Sequence, residues 1–245
     1  MSAAHPKIAL LRAALATSGS PEIRIPLGHL GVDACLNGGL KRGVLHEVFA
    51  AVSHEAAASG FAAALAARVG GPLLWIRQDY AGLEHGELAA TGLLELGLDP
   101  ARVVLLRVSD VAGALRAASD GLTCAALGTV VVEIAGSPKL LDLVAHRRLA
   151  LGAAGHGVTA LLLRFGAEPG IGVAETRWLV RAAPSGQDEN WGRPVFAVTL
   201  ARNRHGALGE WVMEWSCDDG EFRPADHGAV VSASADRPAQ AAMVA

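Results

Sequence analysis

The chain has 245 residues, of which 51% are hydrophobic and 18% are charged, and its net charge at pH 7 is −3. This composition is typical of a protein with one large buried core and excludes a chain that is disordered throughout. The charge balance excludes a general attraction to nucleic acid, so any such contact requires a local cluster of basic residues.

Three cysteines, Cys35, Cys124 and Cys217, lie far apart and form no CxxC pair. This spacing favours reduced, buried thiols over disulfide or zinc roles, and it predicts a cytoplasmic protein. Residues 1–20 lack the apolar core of a signal peptide, and no run of 18 residues is apolar throughout. We therefore expect neither a signal peptide nor a membrane span.

Residues 1–20 are expected to form a separate N-terminal segment, with an amphipathic helix at 5–16 followed by a linker. Such a helix can dock on a neighbouring subunit or pack on its own domain, and the sequence leaves both alternatives open. Further along, Asp33 is expected to cap a short helix that residues 37–39 terminate.

Apolar strands then alternate with helices. The strands are predicted at 44–49, 73–76, 103–108, 129–134 and 158–164. Helices are predicted through Phe61, Leu65 and Val69, at 86–98, from Ser109 or Asp110 to about 126, and at 140–151, where Ser137 is the expected N-cap and Pro138 the first helical residue. This alternation predicts an α/β fold with a doubly wound, mainly parallel sheet.

The pattern changes after residue 165. Strands at 176–182, 195–201 and 211–215 follow one another without helical spacers, which predicts an antiparallel C-terminal extension of the same sheet. Residues 224–245 are rich in Ala, Ser and Pro and predict a disordered tail. The main domain is therefore expected to span 21–223.

The stretch 42–61 has the order strand, small-residue loop and helix, which is how a phosphate-binding loop is built. The pattern G-x-x-x-x-G-K-[ST] needs two glycines, a lysine and a hydroxyl. Residues 50–61 offer one glycine, Gly60, and no lysine. We interpret Ser53 and Gly60 as remnants of a nucleotide site that no longer binds phosphate.

Two histidines are considered as metal ligands, but neither lies in a complete metal-binding pattern. His54 and Glu55 begin like a zinc-protease helix, but the second histidine that this chemistry requires is Ala58. His46 lies within a predicted strand and is interpreted as a structural residue. We expect no metal site and no catalytic residue, and no G-x-S-x-G sequence supports a serine hydrolase.

The order of several segments resembles the RecA recombinase family over about residues 25–220. Residues 36–48 resemble the approach to its phosphate loop and residues 98–106 the approach to its third strand. Residues 75–79 resemble its second strand, with Asp79 at the catalytic carboxylate, and residues 130–133 resemble its Walker B strand, with Glu133 in place of Asp. Within that superfamily, the Ala-rich loop and the ending at 209–215 are similar to the ImuA family.

The ImuA resemblance implies a degenerate RecA-like domain without a cofactor, which acts as a non-catalytic adaptor in SOS-induced translesion synthesis. The implied partners are an ImuB-like Y-family polymerase homologue and an error-prone replicative-type polymerase, with RecA as a further partner left open. Two alternatives also remain open. One is a DNA-dependent ATPase with an unconventional phosphate loop, and the other is a SulA-type inhibitor of cell division.

Candidate DNA contacts rest on basic residues. Arg164 ends the fifth predicted strand, and in RecA the loop that follows this strand touches single-stranded DNA. Arg202, Arg204 and His205 form a basic turn that could contact phosphates or simply be solvated. The loop at 165–172 has no basic residue and contains Glu168, so any DNA contact is expected to be weak. Four tryptophans are open to two interpretations, interface anchors or core: Trp178, Trp191, Trp211 and Trp215.

Overall fold

The computed structural model describes residues 22–80, 86–185 and 192–225. The strands of this part of the chain are β1 Arg24–Ile25, β2 Leu40–Lys41, β3 Leu45–Ala50, β4 Leu73–Gln78, β5 Val103–Val108, β6 Thr129–Ala135, β7 Thr159–Phe165, β8 Thr176–Ala182, β9 Val195–Asn203, β10 Gly209–Ser216 and β11 Glu221–Pro224. The α-helices are α1 Leu30–Cys35, α2 Glu55–Val69, α3 Ala90–Glu95, α4 Val111–Leu122 and α5 Leu143–His156.

Nine of these strands form one sheet in the order β11-β10-β9-β8-β3-β7-β6-β4-β5. The six strands from β8 to β5 are parallel to one another, while β9, β10 and β11 continue the sheet in antiparallel pairing. The RecA-like α/β class predicted from the sequence is confirmed. One detail was wrong, because β8 pairs in parallel with β3 and the antiparallel extension begins only at β9.

Alternating side chains divide the sheet into two apolar faces. Val48 and Ala50 of β3 face α2, which contributes a row of buried alanines and Phe61. Leu45 faces the opposite core, where α4 and α5 pack. Because the alanines of α2 are small, this helix can lie close to the strands beneath it.

The helix termini differ in places from the sequence expectations. The side chain of His29, rather than that of Asp33, caps α1 by accepting from the backbone N–H of Val32. The helix expected from residue 140 begins at Leu143, because the Asp142 carboxylate accepts from the N–H of Ala145 and the preceding residues form a turn. Helix α3 occupies only six of the residues predicted at 86–98.

The burial of the cysteine and tryptophan side chains tests whether the thiols are buried and whether the tryptophans belong to the core. Trp178 and Trp215 are fully buried in the core, and Trp211 packs against it, whereas Trp191 lies outside the described residues. Cys124 and Cys217 are exposed and Cys35 is half-buried, so the expectation of buried thiols was wrong. The predicted N-terminal helix and residues 226–245 of the predicted tail also lie outside the described residues, while Pro224 ends β11.

We predict that Phe61→Ala lowers the free energy of unfolding by about 3–5 kcal/mol, because the fully buried ring packs against Trp178, Phe196 and Phe222. Urea denaturation followed by tryptophan fluorescence measures this loss. Leu30→Ala is the control, since Leu30 is 87% exposed and its truncation is expected to stay within about 0.5 kcal/mol. Equal losses for the two variants would contradict this account of the core.

Candidate functional site

The segment where a phosphate loop would lie forms a different structure. After β3 the chain makes a short 3-10 helix, Val52–His54, and α2 then begins at Glu55. Ser53 is exposed, whereas Glu55 is buried in the first turn of α2. A helix N-terminus attracts anions, and here the carboxylate of Glu55 already lies in that first turn. This charge repels a phosphate from the position that a nucleotide would need.

Both carboxylate oxygens of Glu133 on β6 accept hydrogen bonds from neighbouring side chains. Its Oε1 accepts from the indole N–H of Trp75 at 2.7 Å, and its Oε2 accepts from Nε of Arg77 at 2.8 Å. The carboxylate is 3% exposed, and the same guanidinium also donates to the carbonyl of Gly86. The position that resembles a Walker B carboxylate therefore holds a buried ion pair.

The other nucleotide-site remnants are not brought together with Glu133. Asp79 follows β4 and is exposed, and Gly60 lines a cavity of about 330 Å³ beside Trp75, Arg77 and Phe165. Neither Ser53 nor Asp79 lines that cavity. Arg77 was missed as a site residue because its pairing with Glu133 depends on β4 lying next to β6, which the sequence alone does not reveal.

A second buried carboxylate, Glu47, lies on the face of the sheet that packs against α5. Its Oε1 is 2.9 Å from Nε2 of His146, and its Oε2 accepts from Nε and Nη2 of Arg177 at 2.8 and 2.6 Å. Glu47 and Arg177 are direct cross-strand neighbours on β3 and β8. All three side chains are buried, so we define them as the Glu47 cluster.

The Glu47 cluster shifts the pKa values of its members in opposite directions. Burial opposes ionisation of Glu47, but hydrogen bonds from His146 and Arg177 outweigh it and hold the pKa of this carboxyl below its ordinary value. Burial also disfavours the charged imidazole, but its hydrogen bonds to Glu47 and to the Asp142 carbonyl raise the pKa of His146 above its ordinary value. The cluster is therefore a carboxylate held between a guanidinium and an imidazole whose protonation Glu47 favours.

The four basic residues predicted to contact DNA lie in two different parts of the structure. Arg164 is buried beside the Glu47 cluster, with its guanidinium carbon 5.5 Å from the centre of the Phe49 ring. Arg204 and His205 are exposed in the turn between β9 and β10, and Arg202 donates to the carbonyl of Gly172 in the loop after β7. The sequence interpretation found Arg164 but missed its neighbours Lys139, His146 and Arg177, which come from other elements.

His46 has the structural role expected from the sequence. It is fully buried, its Nδ1 lies 2.7 Å from the hydroxyl of Thr176, and its Nε2 lies 2.9 Å from the carbonyl of Lys41. Burial lowers the pKa of His46 to about 4, so the ring is neutral at physiological pH. Within the described ranges, no group of three or more His, Cys, Asp or Glu side chains could hold a metal ion.

Two curated proteins, both named Protein ImuA and from Caulobacter vibrioides strains NA1000 and CB 15, are similar to the chain. Each is 31% identical over 216 residues, and the match covers 80% of this chain and 84% of the relative. The chain belongs to the ImuA family. No protein-family model matches this ImuA-family chain.

None of the helices in the described part of this ImuA-family protein has both the length and the apolar character needed to cross a membrane.

We predict that the coupling between Glu47 and His146 depends on pH. The stabilisation from His146 is complete below about pH 6.5 and is lost as the pH rises through its raised folded pKa. The stabilisation from Glu47 is complete above about pH 4.5 and is lost as the pH falls through its lowered folded pKa. Both contributions are therefore present between these values.

A double-mutant cycle with Glu47→Gln and His146→Gln, measured by urea denaturation, tests this window. The coupling free energy is expected to be stabilising at pH 5.5 and smaller at pH 8.5. Equal coupling at both pH values would contradict the prediction, because it would show that His146 does not change its protonation state between them.

Proposed function

We propose that this ImuA-family chain is a non-catalytic adaptor in SOS-induced, error-prone translesion DNA synthesis. It would act in the cytoplasm with an ImuB-like Y-family polymerase homologue and an error-prone replicative-type polymerase. Family membership supports a role in DNA-damage mutagenesis, and the altered nucleotide site supports the non-catalytic part of the proposal.

The observation that carries the proposal is the state of Glu133. A Walker B carboxylate supports a magnesium ion, which requires carboxylate oxygens that are free to face the metal. Here Arg77 and Trp75 each take one oxygen of Glu133. A guanidinium next to this carboxylate also repels a divalent cation. The missing lysine and the buried Glu55 act in the same direction, because both disfavour phosphate at the start of α2.

Calorimetric titration of the purified protein with ATP and Mg²⁺ tests the non-catalytic role, with RecA as the positive control. We expect no saturable heat from this chain. Glu133→Gln is expected to lower the free energy of unfolding by about 3 kcal/mol, because it leaves the buried Arg77 without its counter-ion. Saturable ATP binding that Glu133→Gln weakens would instead favour the DNA-dependent ATPase.

Strand β5 supports the adaptor part of the proposal. It lies at one end of the nine-stranded sheet and pairs only with β4 among the described residues. Three of its apolar side chains are exposed, with Val104 at 57%, Leu105 at 38% and Leu106 at 37%. Edge strands normally carry features that prevent pairing with another chain, and an apolar edge accepts an added strand. We assign β5 as the surface that binds the ImuB-like partner.

We predict that Val104→Glu weakens binding of the purified ImuB-like partner by at least about tenfold, because it places a charge in an apolar contact. Interferometry measures the affinity, and circular dichroism checks the fold. Leu30→Glu is the matched control, since this residue is 87% exposed on α1 and outside β5. Unchanged affinity for Val104→Glu would exclude β5, and inhibition in an FtsZ GTPase assay would favour the SulA-type alternative.

A further inference from the structure

A cavity of about 240 Å³ lies between the loop after β6 and the loop after β7. Its charged lining residues are Glu47, Lys139, His146, Arg164, Glu168 and Arg177. Liquid water occupies about 30 Å³ per molecule, so the cavity has room for a small polyatomic ion with part of its hydration. Three permanent cations and two carboxylates face this space.

The side chain of Glu47 forms its hydrogen bonds with His146 and Arg177 rather than with Arg164. One of its oxygens lies against His146, and the other accepts two hydrogen bonds from Arg177. The remaining guanidinium nitrogen of Arg177, Nη1, donates to the carbonyl of Gly170. Arg177 and Glu47 therefore form an ion pair, and none of the hydrogen bonds that Glu47 accepts among the described residues comes from Arg164.

Arg164 has no hydrogen-bonded counter-ion in the described part of the chain, although the nearby Glu47 carboxylate attracts its charge and Arg177 repels it. Arg164 is 7% exposed and donates one hydrogen bond, from Nη2 to the carbonyl of Gly136 at 2.8 Å. Its Nε is buried without a partner, and the residue forms no ion pair within the described parts of the chain. Burying a cation without a counter-ion is costly. The Phe49 ring supplies a cation–π contact but carries no compensating charge.

We propose that this cavity binds a phosphate group through Arg164. The guanidinium fork matches the geometry of a phosphate and can donate two parallel hydrogen bonds to it. Lys139 and Ser137 lie at the same cavity, on the loop after β6, and can contribute an ammonium group and a hydroxyl. The proposal is independent of the adaptor role, because it rests on the opposite face of the sheet from Glu133.

Removal of the negative charge of Glu168 tests the proposal, because the proposal predicts the direction in which the phosphate affinity changes. This exposed side chain also lines the cavity, and its carboxylate repels an anion there. If Arg164 holds a phosphate, the removal of this negative charge must strengthen binding. If phosphate does not bind in this cavity, the removal of Glu168 leaves the affinity for phosphate unchanged.

Titration of inorganic phosphate into the purified full chain, with chloride at matched ionic strength as the control, measures the affinity by calorimetry. Arg164→Gln is expected to weaken phosphate binding by about tenfold or more through the loss of charge-assisted hydrogen bonds. Glu168→Gln is expected to tighten binding by about fivefold. The control Arg102→Gln removes an exposed arginine outside the cavity and is expected to leave the affinity unchanged.

Absence of saturable phosphate binding to the wild-type chain would overturn the proposal, as would equal affinities for wild type and Arg164→Gln. If Arg164→Gln does not fold, Glu168→Gln decides the question, because unchanged affinity in that variant also overturns it.

Competition with a single-stranded thymidine oligonucleotide identifies the source of the phosphate. Competition that disappears in Arg164→Gln supports the site and assigns it to a nucleic-acid backbone. Phosphate binding that depends on Arg164 but does not respond to the oligonucleotide supports the site and assigns it to a free phosphorylated ligand.

Discussion

A carboxylate inside a parallel sheet requires a cation within hydrogen-bond reach, because a buried unpaired charge is too costly to retain. Two strands of this sheet meet that requirement in the same way. Glu47 on β3 takes Arg177 from the neighbouring β8, and Glu133 on β6 takes Arg77 from the neighbouring β4. Each ion pair forms only when its two strands are neighbours in the correct register. A different strand order or register would leave buried charges without partners.

The two pairs lie on opposite faces of the sheet, and this difference separates their roles. Glu133 faces α2, where Arg77 and Trp75 donate hydrogen bonds to both oxygens of the carboxylate that resembles a Walker B residue. Glu47 faces α5, where His146 joins the pair and makes it sensitive to pH. The segment that resembles a phosphate loop lies on the first face, whereas the Glu47 cluster lies on the second.

The sequence predicts the elements that depend on local pattern and fails where partners are distant. Strand β5 matches its expected bounds, since a run of β-branched and aliphatic residues follows a Pro turn. The start of α5 was placed too early, because Ser137 and Pro138 are residues that commonly begin a helix. In the structure Asp142 is the N-cap instead, and its carboxylate accepts from the backbone N–H of Ala145. Arg77 and Arg177 could not be recognised as site residues, because their roles follow from strand neighbours that are not adjacent in the chain.

The distribution of charge puts the proposed phosphate site and the segment that resembles a phosphate loop on different faces of the sheet. In a phosphate-binding loop, a lysine supplies the positive charge at the start of the helix, and in this chain Glu55 lies there instead. On the other face, at the same carboxyl edge of the sheet, Arg164 and Lys139 line one cavity together with the ion pair of Arg177 and Glu47. The carboxyl edge of parallel strands is where ligands bind, and the buried Arg164 lies at this edge with a partnerless Nε, which is why we propose an anionic ligand for it.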